Sequence, residues 1–215
     1  MIGLRYEGIV NNISDYTYHI LGCGAIGSSA AIQLVRMGAK EFVLYDFDKV
    51  EPENIGVSQY TNNDIGIYKV DALKKHIRRI NDGATVLTLA ERFEEFHPSD
   101  NEDIIVLGFD SMVSRLDAVK AITKKGKPYA LIDGRMGAEH YQQYSFKLPS
   151  LKAYMSTWYD DLAGDPEPCN AKATSYCSNM SGSFIVNTVR KMITNQPYDG
   201  EFAFNFPTMM LEIKK

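Results

Sequence analysis

The segment from Tyr18 to Met37 narrows the choice of folds more than any other. A short apolar run, Tyr18-His-Ile-Leu21, passes directly into Gly22-Cys-Gly-Ala-Ile-Gly27. Ile26, Ala30, Leu34 and Met37 then recur at helical spacing, and Gly38 suits the end of that helix. A strand, a glycine turn and a helix in direct succession open a βαβ unit. In such a unit the first glycine permits a tight turn, the second lets a phosphate approach the backbone, and the third lets helix and strand pack closely. The helix N-terminus, with unpaired N–H groups and the positive end of its dipole, then faces the anion.

The remaining pattern extends the alternation. Glu41-Phe-Val-Leu-Tyr45 reads as a second strand, and it ends on Asp46. An acid roughly 20 residues past the glycine turn is what ribose binding asks for. Val70, Leu73, Ile77 and Ile80 line one face of a helix that starts near Lys69 and closes at Asn81-Asp82-Gly83. Thr85 to Leu89 and Asp103 to Leu107 read as strands, Ser111 to Thr123 as a helix, and Tyr129 to Asp133 as another buried strand. Strands alternating with helices predict an α/β, Rossmann-like, doubly wound and mainly parallel sheet. His140 to Leu148 and Phe202 to Ile213 read as later, antiparallel strands around a helix at about Ala171 to Ile193, whose Tyr176, Met180, Phe184, Val189 and Met192 form an apolar stripe. The stretch from Pro149 to Pro168 mixes turn formers with aromatics and reads as a long loop. Residues 1–215 are therefore expected to form one domain: a nucleotide-binding core at about 15–135, a crossover loop at about 149–169, and a helix with strands over 170–215.

Composition removes several other classes. The 215 residues are 45% hydrophobic and 23% charged, and the net charge of −4 argues against a nucleic-acid partner held by bulk charge. No apolar stretch approaches the ~20 residues of a membrane span. Cys23, Cys169 and Cys177 are odd in number, and no apolar signal segment opens the chain, so a reducing, cytoplasmic compartment is expected.

The glycine turn and Asp46 alone fit NAD as well as ATP, so a nicotinamide-dependent oxidoreductase stays open at this point. Two further residues favour ATP. Lys69 opens a helix after Asp64-Ile-Gly66, and Asp110 lies just past the strand that ends at Leu107. A lysine for phosphate oxygens, a carboxylate for Mg²⁺ and a helix N-terminus are the set that phosphoryl or nucleotidyl transfer requires. Taken singly, Lys69 is equally a solvated helix residue and Asp110 a helix N-cap.

Together these residues resemble a known family. Gly22 to Gly27, Asp46-Phe-Asp48-Lys-Val-Glu51 with Asn54 and Gln59, Asp64-Ile-Gly66 with Lys69, and Asp110 with Arg115 are similar to the adenylation domain of the ThiF, MoeB and ubiquitin-activating enzyme superfamily. The match spans about residues 15 to 130. The resemblance implies ATP- and Mg²⁺-dependent adenylation of a carboxylate, the C-terminus of a ubiquitin-like or sulfur-carrier protein or of a peptide, by a homodimer. It implies that Gly22, Gly24, Ala25, Ile26 and Gly27 lie against the phosphates and that Asp46 holds the ribose. Asp48, Asn54 and Gln59 are counted with the nucleotide site, Lys69 with the phosphates and Asp110 with Mg²⁺.

The departures from that pattern are specific. The family carries an arginine in an Asn-Leu-Asn-Arg-Gln segment, where this chain reads Asn54-Ile-Gly-Val-Ser-Gln59. Arg135 in Asp133-Gly-Arg135-Met-Gly137 is the first candidate to replace it and Arg5 the second, with an ion pair to Asp133 or Glu139 as the structural alternative for Arg135. Without a replacement, the chain reads as a catalytically weakened ATP-binding module. Two Cys-x-x-Cys pairs bind zinc in many relatives, and this chain lacks them, so no zinc is expected. Cys169 follows Pro168 and precedes a predicted helix, a setting that lowers a thiol pKa, and by resemblance it is a candidate to take the activated carrier as a thioester. Cys177 is expected in the core, and Cys23 is expected to be incidental.

Overall fold

The computed structural model describes residues 5–6, 8–10, 12–161 and 173–214. They form one eight-stranded sheet in the order β3-β2-β1-β4-β5-β6-β7-β8. The strands are β1 (Tyr16–Leu21), β2 (Glu41–Tyr45), β3 (Thr85–Leu89), β4 (Glu102–Leu107), β5 (Ala130–Gly137), β6 (His140–Lys147), β7 (Glu201–Asn205) and β8 (Met210–Lys214). Strands β1 to β5 pair in parallel, and β6, β7 and β8 follow antiparallel. The helices are α1 (Ala25–Arg36), α2 (Lys69–Ile80), α3 (Met112–Lys125), α4 (Leu151–Met155) and α5 (Ser175–Ile193). This is the expected doubly wound architecture with antiparallel strands at one side.

The central strands are buried on both faces, and their alternate residues feed two separate cores. Tyr18, Ile20, Leu44, Ile104, Val106 and Ile132 pack with Leu34, Leu73, Ile77 and Ile185 under α1, α2 and α5. Leu21, Ile105, Leu107 and Leu131 pack with Val119, Ile122 and Tyr154 under α3 and α4. Period-two alternation of Cβ direction explains why continuous apolar runs serve both layers. Where α5 crosses α1 only glycine fits, because a Cβ at Gly182 would come within 2.3 Å of Ser29 Oγ.

The sheet has one topological switch point. The chain steps outward from β1 to β2 and β3, then returns to lay β4 on the other side of β1. The connections after β1 and β4 therefore run to opposite sides and leave a crevice at the carboxyl ends of these strands, the place where open α/β sheets bind ligands.

Three local expectations change. Strand β5 continues past Asp133 to Gly137, because β6 pairs with it residue for residue from Ala130↔Lys147 to Gly137↔His140. Arg135 therefore lies within a buried strand instead of following one. The stretch after Pro149 contains the short helix α4, capped where Ser150 Oγ accepts from Ala153 N–H at 3.2 Å. Helix α5 begins at Ser175, and Thr174 is its N-cap. Cys169 and the end of the crossover loop lie outside the described residues.

Candidate functional site

The glycine turn is built by contacts that exclude larger residues. Gly22 has φ +91°, and a Cβ there would lie 2.7 Å from the Gly108 carbonyl carbon. A Cβ on Gly27 would lie 1.9 Å from Gly22 O. The turns after β1 and β4 are thus in van der Waals contact through Gly22, Gly27 and Gly108, and Gly108 N–H donates to Leu21 O at 2.8 Å. Gly24 is different: a Cβ there would meet nothing within 4 Å. No atom of the described residues requires glycine at this position. Gly24 is also the N-cap of α1, and no side chain caps that helix, which leaves its first N–H groups facing the crevice.

A cavity of about 790 Å³ opens over this turn, lined by Gly22, Gly24, Asp46, Asp48, Lys69 and Asp110 among others. Asp46 is fixed at the end of β2 by two backbone donors, Cys23 N–H at 2.7 Å and Asp48 N–H at 2.9 Å. Burial raises its carboxyl above the ordinary value, although Lys69 and the two N–H groups oppose the shift. Lys69 is the first residue of α2, and its Nζ donates to Asp48 Oδ2 at 2.8 Å. Burial alone would lower the Lys69 pKa, but Asp46 and Asp48 outweigh it and hold the ammonium above its usual value.

Asp110 is not an N-cap. Ser111 takes that role for α3, with its Oγ accepting from Ser114 N–H at 3.3 Å. Asp110 is exposed and has no hydrogen-bond or ion-pair partner among the described residues. It also lines a second cavity of about 920 Å³, which shares Gly24, Gly108 and Phe109 with the first. Ala25, Ile26, Asn54, Arg115 and Arg135 line only this second cavity. Lys69 and Asp110 therefore meet in one cavity and Asp110 and Arg135 in the other, without all three converging.

Arg135 occupies the place that its structural alternative describes. Its Nε donates to Asp133 Oδ2 at 2.9 Å and its Nη1 to Thr157 O at 2.7 Å, and its guanidinium stacks 4.1 Å from the Tyr144 ring centroid. Gln59 lines neither cavity; its Nε2 donates to Asn179 Oδ1 of α5 at 2.8 Å. Asn54 Oδ1 accepts from Glu51 N–H at 2.9 Å within a capping box. Arg5 is exposed and lines neither cavity. Cys23 and Cys177 are buried free thiols, and burial pushes Cys23 well above the usual range and Cys177 up to about 11. Neither is poised as a thiolate. Among the described residues no group of three or more His, Cys, Asp or Glu is arranged to hold a metal by itself.

Three residues beside the site escape the motif. Gly108 is required by packing, but a lone glycine after a strand carries no distinct signal. Tyr60 donates to Cys23 O at 2.5 Å and so ties the glycine turn to the loop before α2. Arg92 stacks over Phe47 at 4.8 Å, and both line the first cavity.

A profile of the ThiF family matches residues 4–205. The chain belongs to the ThiF family. Among sequence relatives of this ThiF-family chain, the ubiquitin-like modifier-activating enzyme 5 of Bombyx mori is 32% identical over 105 residues, covering 45% of this chain and 27% of that protein. The enzyme of the same name from Oryza sativa subsp. japonica is 34% identical over 105 residues, covering 45% and 25%. The ThiF-family chain thus spans about a quarter of the length of these relatives. Among solved structures, E. coli MccB with ATP superposes with a TM-score of 0.75 at 15% identity, covering 99% of this chain and 69% of that one. PaaA gives a TM-score of 0.72 at 18% identity, covering 98% and 75%. These structural matches establish a common fold.

Proposed function

We propose that this chain binds ATP at the β1/β4 switch point and adenylates a carboxylate, the C-terminus of a ubiquitin-like or sulfur-carrier protein or of a peptide. The observation that carries this reading is the shared wall, where two cavities meet over Gly24, Gly108, Phe109 and Asp110. One has the residues for a nucleotide, and the other brings a second reactant to the same backbone edge. The ThiF family, the activating-enzyme relatives and the MccB structures with ATP and with MccA support it.

On this reading the backbone at Gly22 and Gly24 faces the phosphate chain, Gly27 packs α1 against the turn, and Ala25 and Ile26 lie on the side that meets the second cavity. Asp46 accepts from the ribose hydroxyls, and Lys69 releases Asp48 to pair with phosphate. Mg²⁺ fits Asp110, an exposed carboxylate without a partner among the described residues, since this ion is commonly held by one or two carboxylates together with substrate phosphates. When bound, the ion neutralises charge on the phosphates and the departing pyrophosphate. A substrate carboxylate oxygen attacks the α-phosphorus and forms the acyl–oxygen–phosphorus link. The bond from that phosphorus to the bridging oxygen breaks, and pyrophosphate leaves with the electron pair. The protein supplies position and fixed dipoles rather than covalent chemistry.

ATP–pyrophosphate exchange with a panel of candidate carriers tests the proposal, run beside Asp110→Ala. Exchange is expected in the wild type, with loss in the variant while ATP still binds in calorimetry. Unchanged exchange in Asp110→Ala refutes the role of that residue. ATP binding without exchange for any carrier returns the reading of a weakened module, and protection by NAD but not ATP in a thermal-shift experiment returns the oxidoreductase. A thioester on Cys169 is a separate step, in which the cysteine thiolate displaces AMP from the acyl adenylate. Cys169→Ser would keep exchange and lose any thiol-labile carrier adduct.

A further inference from the structure

The wall of the second cavity carries a charge imbalance that the nucleotide reading does not use. Asp133 is fully buried, and both of its oxygens are taken. Arg115 Nη1 donates to Oδ1, while Arg135 Nε and Tyr154 OH donate to Oδ2 at 2.9 and 3.0 Å. Arg115 and Arg135 are 4% and 5% exposed. Two guanidiniums thus surround one carboxylate away from solvent, which among the described residues leaves one buried positive charge unmatched. In a medium of low dielectric such an excess is costly unless a counter-charge arrives.

The donors are also not exhausted. Arg135 Nη2 lies 2.7 Å from Asp133 Oδ2 as an ion pair, but its geometry there makes no hydrogen bond, and it is a buried polar atom without a hydrogen-bond partner among the described residues. Arg115 is spent on the Leu107, Phe109 and Asp133 oxygens, which fixes it as the support of the β4–α3 turn. Three tyrosine rings, Tyr144, Tyr154 and Tyr159, flank the Arg135 guanidinium at 4.1, 5.9 and 5.0 Å and hold its plane. Asp110 and Asp161 also line the cavity, but both are exposed, so water and salt screen them. Asp161 is further engaged by Met112 N–H at 2.9 Å.

We infer that Arg135, backed by Asp133 and Arg115, forms a carboxylate-binding subsite for the acyl substrate, and that it does not serve the ATP phosphates. The identity of that carboxylate as the one to be adenylated rests on the proposed function, whereas the existence of the subsite rests on the buried charge alone. A guanidinium with its Nη2 donor unspent offers a carboxylate opposite charge and a charge-assisted hydrogen bond, which a neutral amide cannot match in strength.

The probes are N-acetylglycine, the smallest mimic of a polypeptide C-terminus, and N-acetylglycinamide, titrated into the full chain with and without ATP. The acid is expected to bind roughly tenfold or more tightly than the amide, as the loss of a charged hydrogen bond requires. In Arg135→Gln the two probes should bind alike, ATP affinity should stay unchanged, and Arg135→Lys should keep part of the preference. Circular dichroism checks that the variants fold, and the acid-to-amide ratio of the wild type needs no variant. Equal binding of acid and amide overturns the inference, as does failure of the acid to bind at millimolar concentration. Loss of ATP affinity in a folded Arg135→Gln with the acid preference retained also overturns it, because Arg135 would then serve the phosphates. If ATP does not bind at all, the nucleotide reading fails while the acid-to-amide ratio still decides the subsite.

Discussion

The two cavities that meet at Gly24 are built by different means. The first takes the groups that the motif names from one βαβ unit and the helix that follows: the turn after β1, Asp46 and Asp48 after β2, and Lys69 at the start of α2, with Glu91 to Glu94 after β3 and residues from Asp110 to Asp117 after β4 completing its wall. The second is assembled from distant pieces: α1, the turn after β4, Arg135 on β5, His140 and Gln142 on β6, and Tyr159 beyond α4. A nucleotide is the same molecule for every member of a family, so the pocket for it can be written into local sequence. A pocket for a variable second reactant is set by long-range register, above all by the β5–β6 pairing that turns Arg135 inward.

The contrast is sharpest inside the glycine turn, where two glycines should respond oppositely to the same change. Gly27→Ala places a Cβ 1.9 Å from Gly22 O, so α1 must retreat from the turn. Overpacking of this kind should destabilise the fold by about 3 kcal/mol in urea denaturation. Gly24→Ala meets no protein atom. Its stability should stay within about 0.5 kcal/mol of wild type, while ATP affinity falls by roughly tenfold, about 1.4 kcal/mol. If Gly24→Ala keeps full affinity, the backbone at Gly24 does not approach the nucleotide and the division between the two cavities loses its anchor.

Acidity gives a smaller and graded test of the first cavity. Burial raises the Asp46 carboxyl above its ordinary value. The folded-state pKa therefore lies above the unfolded one, so protonation on acidification favours the fold. The same protonation removes an acceptor from the ribose side, and ATP affinity should fall as pH drops through the raised Asp46 value. Asp46→Asn should bind weakly throughout and lose that step. Asp64 has the opposite sign. Burial opposes it, but hydrogen bonds from His76 and Thr61 hold its carboxyl below the usual value. Its contribution to stability is present above the ordinary aspartate pKa and is lost only as pH falls through the lowered folded value. Calorimetric ATP titrations and urea melts across the acid range separate the two residues, since Asp46 changes affinity and Asp64 changes stability.

The same contrast explains what could be read from the sequence. The parallel half of the sheet, its switch point and the motif residues of the first cavity are legible because each follows from local spacing: glycines at fixed offsets, an acid at a strand end, a lysine at a helix start. Arg135 was visible as a candidate, but its setting was not. Whether β5 stops at Asp133 or runs on to Gly137 depends on its pairing with β6, a choice made by tertiary contact. Asp110 was ambiguous for a similar reason, since with the helix expected from Ser111 it is placed to cap it, and only the backbone starts α3 at Met112 and gives the cap to Ser111. Gly108 and Tyr60 carry no local signature at all, although both hold the glycine turn in place.

The smallest expected effect concerns Gln59, where family resemblance and geometry part. Resemblance counts it with the nucleotide, but its amide reaches across to Asn179 of α5, and its backbone N–H is held by Ser28 Oγ at 3.2 Å. In this geometry Gln59 joins the loop before α2 to the α1–α5 seam and touches neither cavity. Gln59→Ala should therefore cost about 0.5–1 kcal/mol of stability, the worth of one partly exposed hydrogen bond, and leave ATP affinity unchanged. Asn179→Ala should cost a similar amount, and the double variant little more than either single one, because both remove the same bond. A loss of ATP affinity in Gln59→Ala, with stability unmoved, would mean that the loop turns Gln59 towards the nucleotide when ATP binds. The local site would then extend into the segment where the family's arginine is missing, and the boundary between the two cavities would lie nearer α5.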